Sequence, residues 1–142
     1  MTQLDLTRRP VLIWDGDCAF CARCAGFLTR HRLGADIDVV PWQDVDLAAL
    51  APDRVGLTAA ACRDAVQWVD LDPVGQVHRR SGAAGLAALM RHAGGGWAVA
   101  GAVMAVPPGS WLAAAVYRVV AANRHRLPGG DPACALPAAT SA

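Results

Sequence analysis

The stretch WDGDCAFCARC, residues 14–24, constrains this chain more than any other. The apolar run VLIW ends at Asp15-Gly16, as a buried strand ends in a turn. Behind the turn stand Cys18, Cys21 and Cys24, spaced three apart. Over 19–33 the residues Phe20, Cys24, Phe27, Leu28 and His31 recur at helical spacing, and Gly34 supplies the stop. A second strand, DIDVV, follows at 36–40. Strand, helix and strand at this spacing make a βαβ unit with parallel strands. The cysteine turn then lies at the C-terminal edge of the sheet, where α/β folds collect functional groups.

The remainder extends the pattern. Residues 43–63 are less readable, with a short helix around DVDLAALA. AVQWVDLDPVGQVHRR gives two strand-like runs about a Pro/Gly turn, hence an antiparallel hairpin. Ser81 is placed to cap a helix through GAAGLAALMRH, which the glycines at 94–96 close. The order βαβ then ββα is that of the thioredoxin core. The expected fold is therefore α/β and thioredoxin-like, with an added C-terminal pair of apolar helices. Residues 1–10 read as an extension, 11–127 as a single domain, and 128–142 as a Pro/Gly/Ala tail without stable order.

Composition narrows the chemistry. A chain of 142 residues buries roughly 68–70% of its unfolded surface and needs no disulfide staples. Its charge is all Arg and Asp and sums to +1, with no basic patch, which argues against nucleic acid as a partner. The N-terminal residues lack the apolar core of a secretory signal, so a reducing cytoplasm is expected, and the Ala-, Arg-, Gly- and Pro-heavy composition fits a GC-rich bacterial genome. Residues 97–122 are long and apolar, yet Pro107 and Pro108 split them and Arg118 interrupts the second half. They read as two short helices packed on the domain, with peripheral membrane contact through 97–122 as the alternative.

In a reducing compartment the cysteine cluster points to chemistry at one place. The turn delivers Cys18 to a helix start, where unpaired N–H groups and the helix dipole favour the thiolate that attacks a disulfide. Cys21, one turn on, is placed to resolve the mixed disulfide. Asp17 stands where an N-cap belongs, with its side chain accepting from an N–H near Phe20. Asp15 has two readings: a partly buried base that takes the Cys21 proton, or a strand-end carboxylate satisfying loop N–H groups.

DGDCAFC resembles the D-G-x-C-x-x-C signature of the DCC family, thiol-disulfide oxidoreductases of thioredoxin-like fold, with Asp15, Cys18 and Cys21 at the three named positions. YRVVAANRHRLPGG is similar to the Y-R-x-x-x-x-N-R-x-x-x-x-G segment near the end of many members, although it carries no chemistry that the sequence reveals. The resemblance covers 11–130 and implies protein-disulfide reductase activity. Such an activity needs no bound cofactor; its partners would be a protein or small-molecule disulfide and a thiol electron donor. Two departures from thioredoxins stand out. Arg63-Asp64 occupies the approach to the AVQWVD strand where thioredoxins carry a cis-proline, and Ala19-Phe20 replaces the Gly-Pro inside the motif.

Other readings remain open. Cys18, Cys21 and Cys24 open like a ferredoxin cluster run, but AGFL stands where the fourth Cys and its Pro would be. Cys62 and Cys134 lie far off, without the paired spacing of a zinc site, so no metal is expected. Cys24 then reads as a small residue on the buried helix face. A non-enzymatic interaction or redox-sensing domain is the other alternative.

Overall fold

The computed structural model describes residues 4–31, 36–51 and 55–127. VLIW forms strand β1 (Val11–Trp14), and Ala19–Arg30 form helix α1. Strand β2 (Asp38–Pro41) runs into a 3-10 turn at Trp42–Asp44, followed by the short helices α2 (Leu47–Leu50) and α3 (Ala59–Asp64). The hairpin is β3 (Gln67–Leu71) and β4 (Val77–Ser81). Helices α4 (Gly82–Ala93), α5 (Gly95–Ala105) and α6 (Gly109–Asn123) complete the described chain.

The strands order as β2-β1-β3-β4. β1 pairs parallel with β2, Val11 opposite Asp38, and antiparallel with β3, Val11 opposite Val69; β3 and β4 pair antiparallel. This is the thioredoxin-like arrangement that the sequence leads one to expect. The central strand explains its own sequence, because a strand covered on both faces is apolar without alternation. Val11 and Ile13 pack with Val69, Ala51, Leu57 and Cys62 on one face of the sheet. Leu12 packs with Ile37, Trp68 and Leu89 on the other. At roughly 1.5–3 kcal/mol for each fully buried aliphatic side chain, β1 is a main anchor of the fold.

Several local expectations change. Asp17 is exposed and is not the N-cap of α1; Cys18 holds that place, and its Sγ accepts from the Cys21 amide at 3.4 Å. The turn itself causes the shift. Asp15 Oδ1 accepts from the Asp17 amide at 3.2 Å and the Asp15 carbonyl from the Cys18 amide at 3.2 Å, which starts the helix one residue later. Cys24 is exposed, not on the buried face; Ala25 is the buried residue of α1, while Phe27 and His31 stack on each other at 4.2 Å. Ser81 holds the N-cap of α4 by position but makes no capping bond, and its hydroxyl donates to Gln67 Oε1. Gly34 and the tail at 128–142 lie outside the described residues.

Pro107-Pro108 divides the apolar segment into α5 and α6, as expected, and the two helices meet at 94°. Among the described residues no single helix is long and apolar enough to cross a membrane. Tyr117 ties α6 to the sheet: its hydroxyl accepts from the Val66 amide at 3.0 Å, just ahead of β3. Gly82 admits the Tyr117 ring, since a Cβ there would lie 3.2 Å from it.

Candidate functional site

Everything at the site hangs on the C-terminal end of β1. The strand ends at Trp14, and Asp15 dives under the cysteine turn, where it is 4% exposed. Its Oδ1 accepts from Trp42 Nε1 at 3.3 Å and from Gln43 Nε2 at 3.4 Å, so the 3-10 turn after the neighbouring parallel strand holds this carboxylate from beneath. Gly16 is required between the two acids. Its amide donates to Gln43 Oε1 at 3.0 Å, and a Cβ there would sit 2.6 Å from that oxygen and 2.8 Å from Pro41 Cβ.

Cys18 is fully buried and is disulfide-bonded. Cys21, Cys24 and Cys62 are free thiols. The Cys21 thiol is half-buried beside the Cys18 turn. Burial, foremost, pushes its pKa up; Arg124 opposes this through its charge and a hydrogen bond, and the Asp15 carboxylate adds to the rise. Cys62 is a different case. Buried on α3, its thiol is pushed up to about 11, which keeps it a neutral, packed side chain at ordinary pH.

Arg124 is the residue that the sequence did not single out. It follows α6 and is 5% exposed. Its Nη1 donates to Cys21 Sγ at 3.4 Å, its Nη2 donates to the Arg63 carbonyl at 2.6 Å, and Nη2 lies 4.0 Å from Asp15 Oδ2. Tyr117 and Arg124 both belong to the YRVVAANR segment, one anchoring the helix and the other reaching the thiols. That recurrent segment was the available signal, but no local pattern says that its last arginine crosses to residue 21. Arg63, in the approach to β3, offers its carbonyl to Arg124 and its guanidinium to the Trp42 ring at 4.9 Å.

A groove of about 570 Å³ is lined by Cys21 together with Phe20, Leu28, Leu112, Asp15 and Arg124. Among the described residues no three His, Cys or Asp side chains converge as metal ligands. Asp15, Cys18 and Cys21 are thus brought together with Arg124, while Cys24 also lines the groove.

The sheet order, with a cysteine at the first helix start and a second one turn later, defines a thioredoxin-like α/β protein. Residues 12–130 match the family model of the DCC1-like thiol-disulfide oxidoreductases, and the chain belongs to that family. No curated protein and no solved structure matches it.

Proposed function

We propose that the chain reduces disulfides through Cys18 and Cys21, with Asp15 as proton acceptor, in a reducing cytoplasm. The reduced Cys18 thiolate, at the N-terminus of α1, attacks a substrate disulfide; a Cys18–substrate disulfide forms and one substrate thiolate leaves. Asp15 takes the proton from Cys21, whose thiolate attacks the Cys18 sulfur. The second substrate thiol is released, and the two electrons it carries leave Cys18 and Cys21 joined as a disulfide. A thiol donor then restores the pair.

One observation carries this reading: Cys18 caps the N-terminus of α1 and its Sγ accepts from the Cys21 amide at 3.4 Å, so the two cysteines stand together at the helix start. Burial suits Cys21 to the second step, because a thiol with a raised pKa stays protonated until a base removes its proton. Arg124 offsets part of the charge that then develops on sulfur.

Insulin reduction tests the reading. With dithiothreitol as donor, the wild-type chain is expected to accelerate precipitation of the insulin B chain, and Cys18→Ser is expected to match the uncatalysed rate. Equal rates for wild type and Cys18→Ser contradict it.

A further inference from the structure

Helices α5 and α6 carry apolar side chains that the fold leaves uncovered. Trp97, Val99, Val103, Trp111, Leu112 and Val119 are all exposed, Trp111 by 70% and Leu112 by 68%. No residue of α6 is fully buried. A soluble monomer rarely shows a continuous apolar face of this kind unless something covers it.

The charges around the face say what the cover must be. Between Asp72 and Asp131 the sequence holds no acidic residue, whereas Arg79, Arg80, Arg91, Arg118, Arg124 and Arg126 fall within that span. Of these, Arg91, Arg118 and Arg126 are exposed on or beside the three C-terminal helices. A second copy is a poor cover, because a two-fold contact would bring the arginines beside this face together with no acid from the same stretch to pair them. Neither helix alone is long and apolar enough to cross a bilayer, and the two meet at a 94° corner, a shape that suits lying at a lipid surface.

We propose that the α5–α6 corner docks on an anionic lipid surface, with Trp97 and Trp111 entering the headgroup boundary and the arginines meeting lipid phosphates. Val103, Leu112 and Val116 belong both to this region and to the lining of the groove that Cys21 shares. Docking therefore brings the groove to the lipid. The inference stands on exposure and charge and does not depend on the thiol reaction.

Co-sedimentation of the full chain with vesicles tests it. Binding is expected to mixed phosphatidylglycerol/phosphatidylcholine vesicles, weaker binding to phosphatidylcholine alone, and a decline with rising salt. The double substitution Trp111→Asp, Val119→Asp is expected to weaken vesicle binding by roughly tenfold or more while insulin reduction is unchanged. Arg118→Gln with Arg126→Gln is expected to reduce the preference for phosphatidylglycerol. Failure of the wild-type chain to sediment with phosphatidylglycerol vesicles overturns the proposal. So does a dimer in light scattering that Trp111→Asp, Val119→Asp dissociates, since the face would then be a contact between copies.

Discussion

The guanidinium of Arg124 donates to the Cys21 sulfur at 3.4 Å across 103 positions of sequence. It is thus the end of α6, and not the cysteine helix, that sets a positive charge against the second thiol. The same guanidinium holds the Arg63 carbonyl and faces Asp15, so one side chain joins the C-terminal helices to the turn before β3 and to the end of β1.

Arg124→Gln is expected to move the Cys21 thiol pKa further up, because Arg124 is the group that lowers it. Alkylation of Cys21 by iodoacetamide, followed by mass across pH 6–11, should shift to higher pH, and a shift of one unit slows the reaction near neutrality about tenfold. Arg124→Lys should recover part of the shift. Stability should fall by about 3 kcal/mol in Arg124→Gln, since Asp15 stays buried without its cation. An unchanged alkylation profile contradicts the electrostatic role.

Asp15→Asn separates the two readings of that carboxylate. As a proton acceptor it matters only for resolution, so stopped-flow release of the second substrate thiol should slow roughly a hundredfold while attack by Cys18 is nearly unchanged. The amide can still accept from Trp42 and Gln43. If resolution keeps its normal rate and only the melting temperature drops, Asp15 is structural.

Cys62 predicts a pH dependence of stability. Its pKa is raised by burial from the ordinary 9.0 to about 11, so the fold disfavours its thiolate. The contribution is fully present below about pH 9 and is lost as pH rises through 11. Two units correspond to about 2–3 kcal/mol. Anaerobic urea unfolding between pH 8 and pH 11 should therefore show a steeper loss in the wild-type chain than in Cys62→Ala. Parallel slopes would remove Cys62 from the account.

Strong local patterns were legible, and contacts made at a distance were not. β1, α1 and the β3–β4 hairpin follow from an apolar run, a helical stripe and a Pro/Gly turn, and together they imply the strand order. α3 and the 3-10 turn at Trp42–Asp44 were missed because such short elements are fixed by what they pack against. The turn supports Asp15 through Trp42 and Gln43, which no spacing rule could couple to residue 15. The phase of α1 was misjudged for a related reason. Phe27 and His31 continue the apolar stripe in sequence but satisfy each other at the surface, so the buried line passes through Ala25. Asp17 looked like a cap because acids are good caps; Asp15 closes the turn first and hands the N-cap to Cys18.

The division of labour between the two thiols is the central claim, and trapping tests it most directly. Fully reduced Cys21→Ser protein is mixed with a peptide disulfide, quenched with acid and mapped by mass. A stable adduct on Cys18 is expected, with none in Cys18→Ser or in the Cys18→Ser, Cys21→Ser pair. An adduct on Cys24, or trapping that survives the loss of Cys18, would contradict the account.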